Sequence, residues 1–574
     1  MKVKIYPVPE ISSVQDMLLK SKAKNPDGIA LADLNNYPIS RLTYTQLVET
    51  VLRFGAALQN LGIKERSHIA VIGENRVQWG ITYLTAMCFN MVIVPIDKNL
   101  TSNEILNILY ESDAEAVVFS ENYDTMLRYD THSLKKLKLF IGMDYLSTKK
   151  GFLSMKELID NAKPMDASQL PKINPDDMAE IIFTSGSVGR AKGVMLTQKN
   201  LASNLMAMRK MIIIEQNDIF LSVLPIHHTY ECTCGLLCPL YSCSTVYYAR
   251  SLKTVADDLI KVHATIMLGV PLLFEKMFKR IYLTINGDKI KSKMIKPMIK
   301  ISDVFQKVGW KSFKRLIFGE LHNKFGGSIK LFIAGGAAPD PLIAKGLREF
   351  GFGFLQGYGM TETSPIIALN QRENFKDDAA GIPLEGIQIK IMDTDPEGIG
   401  EIYVKGPSVM PGYYKNPVLT EESFLEGWFN TGDLGLMDDD GFLHITGRKK
   451  NVIIANNGKN VFPEEIEDIV NRSPFVNECF VYGEPDEKHD EIIALQVVID
   501  AESFIEYSAK NKVQITDELV KKTIAEVVRN VNKELASYKQ IKKFYIRDRE
   551  FEKTTTQKIK RYLVNNNGVN VNNL

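Results

Sequence analysis

The chain has 574 residues, 45% of them hydrophobic and 24% charged, a globular composition that predicts roughly three to five compact units. Seventy Lys or Arg against 69 Asp or Glu leave a formal charge of +1, which argues against a dedicated nucleic-acid binder and against intrinsic disorder. Six cysteines are too few for a disulfide scaffold. The opening MKVKIYPVPEISSVQ has no signal-peptide core, and no apolar run reaches about 18 residues, so a cytoplasmic location is expected.

In chain order, the first element is a helix over Thr43–Leu61, with Leu47, Val51, Phe54, Leu58 and Leu61 at helical spacing. Thr43 with Gln46 makes a capping box, and Gly62 a stop. HIAVIG (68–73), MVIVPI (91–96) and AVVFS (116–120) read as buried strands separated by helical stretches. That alternation predicts βαβ units and a mostly parallel sheet. A second alternating stretch covers about 176–370. Residues 381–446 carry short strands such as IQIKIM and GEIYVKG between Pro and Gly, a small β-rich subdomain. Mixed α/β patterns return with VIIA, a helix opening at PEEIEDIV, FVYG, IIALQVVID and a helix over 516–535. The expected architecture is therefore α/β: a large N-terminal domain (1–447) of βαβ-type subdomains plus the β-rich one, then a hinge and a small C-terminal domain (448–563). The Asn-rich residues 564–574 read as a frayed tail.

The sharpest chemical signal runs from Thr184 to Gly193, TSGSVGRAKG, just after the strand-like AEIIF. Gly186 and Gly189 let backbone amides approach oxygens, Thr184, Ser185 and Ser187 donate hydroxyls, and Lys192 adds charge, which suits a phosphate loop. It is not a Walker A loop, because Lys192 is followed by Gly193. Taken alone, such a loop serves equally as a surface turn.

Further motifs follow in a fixed order: LFIAGGAAP (331–339), GYGMTET (357–363), GWFNTGDLG (427–435), ITGRKKNVI (445–453) and TQKIKR (556–561). With the loop, they resemble the six signature motifs of the adenylate-forming (AMP-binding) superfamily over nearly the whole chain. The resemblance implies adenine contacts at Gly336 and Ala337. It implies ATP contacts across Gly357, Tyr358, Gly359 and Thr361, and magnesium on Glu362. It places ribose on Asp433 and Arg448, a hinge at Lys450 and the adenylating lysine at Lys558. Where the family has Gly before that lysine, this chain has Gln557.

Within the family, LPIHHTYE (224–231) is similar to the long-chain acyl-CoA synthetases. That implies His228 beside the substrate carboxylate and the pantetheine tunnel, with Gly458 where coenzyme A passes. A structural, helix-capping His is the plainer reading of His228. Cys232, Cys234, Cys238 and Cys243 follow at a spacing that matches no standard zinc pattern. Their apolar surroundings favour a core segment walling an acyl pocket, joined by GVPLLFEKM (269–277). Residues 276–330 hold 14 Lys or Arg against three acidic residues, a net +11. Interleaved with aromatic residues, this suits either a solvated helical face or peripheral contact with an anionic membrane.

The resemblance thus implies a fatty acyl-CoA ligase. ATP, magnesium and a medium- or long-chain acid would give acyl-AMP and pyrophosphate, and coenzyme A would then take the acyl group. A carrier-protein phosphopantetheine as acceptor, and a non-catalytic lipid-binding descendant, are the alternatives.

Overall fold

The computed structural model describes the chain except residues 1–2, 36, 130–133, 150, 185–190, 287–296, 303–304, 306–312, 456–458, 486–490, 555–557, 565–568 and 574, and except the side chains of 280, 282–286 and 569–573. The predicted residues Ser185, Gly186, Ser187, Gly189, Gly458 and Gln557 lie outside the described residues, as does Lys289–Lys296 of the basic segment.

Two compact units form. One comprises 1–389, 404–429 and 439–443, the other 390–403, 430–438 and 444–574. The β-rich segment is thus divided between them, its stretches 390–403 and 430–438 going with the C-terminal residues. The division near 447 concerns which parts move, and it stands as a proposal.

Two large sheets build the first unit. Among the described residues one has nine strands, in the order Ile382–Pro383, Ile366–Leu369, Gly353–Gly359, Leu331–Ala334, Ile266–Gly269, Ile219–Ser222, Thr245–Tyr248, Ile29–Asp33 and Arg41–Thr43. The other has eight: Gly412–Tyr413, Lys192–Thr197, Met178–Thr184, Val92–Ile96, His68–Ile72, Ala116–Phe119, Leu139–Gly142 and Leu153–Ser154. Their centres are parallel. Val92–Ile96 and Ala116–Phe119 are buried at every position, the pattern of a parallel sheet covered on both faces. The helix read over 43–61 runs Tyr44–Asn60, and its capping box between Thr43 and Gln46 is present.

Gln388–Met392, Gly400–Lys405, Trp428–Met437 and Leu443–Arg448 are neighbouring strands of another sheet. Val476–Pro485, Glu491–Ile499, Lys543–Arg547 and Val569–Asn573 make a four-stranded sheet. The helix read over 516–535 is Asp517–Glu534, capped by the Thr516 hydroxyl, and it buries Val520, Ile524, Val528 and Val531 along one stripe. The Asn-rich tail corrects the sequence reading. Its residues 569–573 pair antiparallel with Lys543–Arg547 instead of fraying. The sequence there, VNVNN, alternates β-branched and polar residues with the period of a strand.

Candidate functional site

In the first unit, Thr184 and Lys192 are paired on neighbouring antiparallel strands. The strand bearing Lys192 pairs on its other edge with Gly412–Tyr413, and the Tyr414 amide donates to the Gly193 carbonyl at 2.7 Å. This brings the Lys192 ammonium over the Tyr413 ring, 5.4 Å from its centroid, a cation–π arrangement. The Tyr413 hydroxyl in turn donates to Glu362 Oε1 at 2.9 Å.

Glu362 sits in the short helical turn Thr361–Thr363 that follows strand Gly353–Gly359. The turn is held hard. The Met410 amide donates to the Glu362 carbonyl at 2.8 Å, and Asn204 Nδ2 donates to the Ile366 carbonyl at 2.8 Å. Asn200 on the same helix holds the Pro407 and Val409 carbonyls at 2.7 and 3.0 Å. Gly359 has to be glycine, because a Cβ there would run into the Pro365 carbonyl. The result is a nearly buried carboxylate (9% exposed) with one oxygen oriented by a phenol. Its hard oxygens fit magnesium.

Gly336 and Ala337 lie exposed beyond the end of strand Leu331–Ala334, Gly336 with a φ of +88°. Gly357, Tyr358 and Gly359 end the adjacent parallel strand. The carboxyl ends of parallel strands are where α/β sheets bind ligands. An apolar pocket opens beside them, lined among others by Met208, Tyr230, Cys234, Cys238, Ile333 and Gly357. The cysteine segment therefore does wall a pocket, as one face of a π-helical stretch, Tyr230–Leu237. Residues 269–277 are corrected: Phe274 is fully buried in the core against Phe332 and Phe354, and Leu273 and Met277 pack onto that core. The helix from Pro271 turns its apolar stripe inward.

His228 is half-buried in the turn before the π-helix, its ring 4.3 Å from that of His227. Its carbonyl accepts from the Cys232 amide at 2.9 Å, so the residue also does the structural work of starting a helical segment. Asn75 pins this turn, donating to the Leu224 carbonyl at 2.6 Å and accepting from the Ile226 amide at 3.1 Å. Glu231 is fully buried, and desolvation pushes its carboxyl up to about 8.

The second unit gathers a different set. Gly432, with a φ of +69°, turns the chain inside strand Trp428–Met437. Asp433 follows, its amide donating to the Thr431 hydroxyl at 3.1 Å. Asp433 Oδ1 meets Arg448 Nε at 2.8 Å; the aspartate is buried and the arginine side chain 43% exposed. Lys450 is exposed in the turn Lys449–Asn451, where Lys449 pairs with Glu401. Lys558 is an exposed residue. Its amide and carbonyl are tied to the Thr554 hydroxyl and amide at 3.2 and 2.7 Å. Desolvation of its ammonium, with the charge of Arg448, lowers its pKa, and Asp433 opposes the shift. Asp433, Arg448 and Lys558 are thus brought together. Arg561, three residues on, is anchored on Glu467 at 2.5 Å.

Asn75, Asn200, Asn204 and Tyr413 carry no signal in the sequence reading, because each acts on residues far away in the chain.

A family model described as AMP-binding enzyme matches residues 18–414, and one described as AMP-binding enzyme C-terminal domain matches 465–558. The long-chain-fatty-acid–CoA ligase FadD15 of Mycobacterium bovis is 26% identical, over 97% of this chain and 96% of its own. The chloroplastic long-chain-fatty-acid–[acyl-carrier-protein] ligase AEE15 of Arabidopsis thaliana is 29% identical, over 83% of this chain and 75% of its own. In fold, the chain is similar to the crystal structure of the anthranilate CoA ligase AuaEII in complex with anthranoyl-AMP, with a TM-score of 0.77, 19% identity and 97% of each chain covered.

Proposed function

The chain belongs to the AMP-binding enzyme family, and from that premise we propose that it is a fatty acyl-CoA ligase using ATP. The observation that carries the reading lies in the first unit. The apolar pocket starts at Ile333 and Gly357, on the same strand ends whose following turns hold Gly336 and Glu362. An acid whose tail fills that pocket has its carboxylate directed toward the residues expected to meet ATP.

In the adenylating step the carboxylate displaces pyrophosphate from the α-phosphate. The protein's task is alignment and compensation of charge. Lys192 and the hydroxyl of Thr184 face the phosphates, and Thr361 adds a hydroxyl. Tyr413 fixes the carboxylate of Glu362, which would hold magnesium, an ion that neutralises phosphate charge. Asp433 accepts from ribose hydroxyls, and Arg448 orients Asp433. Lys558 bridges the substrate carboxylate and the α-phosphate. In the second step Lys450 serves as hinge, Lys558 departs, and coenzyme A enters past Gly458 to His228, where its thiol attacks acyl-AMP.

A screen of pyrophosphate release across carboxylates from acetate to oleate, with aryl acids included, tests this. Release that grows with apolar chain length is expected. Equal rates on acetate and palmitate would remove the fatty-acid assignment. A second reading, acyl transfer to a carrier-protein phosphopantetheine, is supported by the plant ligase among the relatives. Product formation with coenzyme A set against carrier protein decides between them. Membrane contact through 276–330 remains a further proposal. Among the described residues no helix is long and apolar enough to cross a membrane. Arg315 and Lys330 of that segment are already engaged, with the Gly327 and Ile329 carbonyls and with Glu215 and Asp218 respectively.

A further inference from the structure

Asp97, His227 and His228 converge from segments that follow strands of the two large sheets. Asp97 follows strand Val92–Ile96 at its carboxyl end, and the two histidines lie beyond strand Ile219–Ser222. One ligating atom from each lies within 4.8 Å of the other two. His227 Nε2 stands 3.4 Å from Asp97 Oδ2. A tetrahedral ion with ligand bonds of about 2.0–2.1 Å separates its donor atoms by about 3.3–3.4 Å, so this spacing is already that of two ligands of one ion.

The surroundings are built to hold these groups in place. The other carboxylate oxygen, Asp97 Oδ1, accepts from the Asn99 amide at 2.9 Å, the kind of outer contact that orients a ligand. Asn75 holds the histidine turn from both sides. His227 is 6% exposed, and its Nε2 is buried without a hydrogen bond. A buried imidazole nitrogen aimed at a carboxylate oxygen and lacking a hydrogen bond is a costly arrangement if nothing sits between them.

We propose that Asp97, His227 and His228 form a binding site for a borderline transition-metal dication of the zinc class. Two imidazoles and one carboxylate select such ions over magnesium and calcium, which prefer oxygen. The site is therefore separate from the magnesium expected at Glu362. Three protein ligands leave one position open. Occupancy engages the His228 imidazole and so slows the ligase. That consequence rests on the fatty acyl-CoA ligase reading; the binding itself does not.

The experiment uses the full chain, stripped by a chelator and titrated with cobalt(II) in excess magnesium. The expected result is one equivalent with the intense visible absorption of a tetrahedral ion, displaced by zinc. It should lack the charge-transfer band that thiolate ligation gives, which separates this site from the cysteines. Outer-shell losses alone cost about 10–100-fold in affinity. Asp97→Asn and His227→Gln should therefore each weaken cobalt binding by at least about 100-fold. Asp97→Asn keeps the shape of the side chain, and circular dichroism with a thermal melt reports whether each variant is folded. Cobalt bound equally well by folded Asp97→Asn, a thiolate band, or no stoichiometric binding overturns the site. In turnover assays, zinc should slow the native protein and spare Asp97→Asn. Zinc that binds at this site and leaves turnover unchanged overturns the control assigned to His228.

Discussion

The residues expected to meet ATP fall into two groups held by different physics. In the first unit, Lys192, Tyr413 and Glu362 are positioned by strand pairing, a phenol–carboxylate hydrogen bond and amide side chains on buried carbonyls. In the second, Asp433 and Arg448 are held by their ion pair, and Lys558 by the bonds of its amide and carbonyl to Thr554. Strand pairing and hydrogen bonds inside a packed core persist whether or not a ligand is present. Charges at the surface are screened within about 8 Å at physiological ionic strength and are freer to exchange partners. The first group is thus a fixed cradle, and in the second it is Lys558, beyond the proposed hinge at Lys450, that is suited to engage in one step and leave in the other.

The largest effect should come from the movable residue. On the proposed reading, Lys558→Ala removes a positive charge that is needed at the reacting centre only during adenylation. Loss of one such donor costs roughly 10²–10³ in rate. Acyl-AMP formation from ATP should fall by that factor. Conversion of premade acyl-AMP to acyl-CoA should stay near the native rate. The two half-reactions measured side by side check this, and equal loss in both contradicts the exchange of partners. If Gln557 has shifted the catalytic role along the chain, Lys560→Ala shows the larger defect.

The cradle should respond more weakly. Tyr413→Phe removes the hydroxyl that orients Glu362 and leaves the ring under Lys192. Hydrogen bonds to charged groups contribute about 1.5–3 kcal/mol, so adenylation should drop roughly 10- to 100-fold. The magnesium concentration for half-maximal rate should rise, and the melting temperature should change little. A magnesium requirement identical to the native protein's would show that Tyr413 does not position that carboxylate.

Much of the cradle's location was legible in the sequence, and its support was not. Thr184, Lys192, Gly359 and Glu362 stand in local motifs because a phosphate turn and a tight strand exit need particular residues side by side. Helix Tyr44–Asn60 was legible for the same reason, through its cap and its apolar period. Tyr413 reaches Glu362 across 51 positions, and Asn204 reaches Ile366 across 162. No pattern within a window of the chain encodes such pairings. The inward face of 269–277 was misread for a related reason: an apolar helix reads the same whether it lines a pocket or fills a core. The tail strand 569–573 was hidden by composition, since Asn is rare in strands.

Buried acids extend the same contrast to stability. Burial raises Glu231 to about 8 and Glu180 also to about 8, neither with a cation among its causes, whereas Glu467 of the second unit, with Arg561 beside it, reaches about 7. In each case the folded chain keeps a proton that the unfolded chain releases. Stability is therefore full below the unfolded value near 4.5 and is lost as pH rises toward 8. The slope is about 1.4 kcal/mol per pH unit for each ionising group. Glu231→Gln should remove one such group and flatten that slope for the first unit, read from denaturant melts at pH 6, 7 and 8 (roughly one unit apart). A slope unchanged by the substitution shows that Glu231 is ionised in the folded chain.

The smallest single-step effect tests whether the two groups divide their labour. The pocket residues Met208, Cys234 and Cys238 all belong to the first unit, so selectivity among acids should reside there alone. Each buried methylene contributes about 0.8 kcal/mol, close to fourfold in kcat/KM. Cys234→Trp, which fills the pocket, should lower kcat/KM on long chains by about that factor for each methylene displaced, and should leave short acids nearly untouched. Lys558→Ala should lower every acid by one common factor and leave their ratios as they were, if the lysine meets the carboxylate and not the tail as proposed. Ratios that shift with Lys558→Ala would mean that the second unit also senses the acyl chain, and the division into a selecting half and a reacting half would fail.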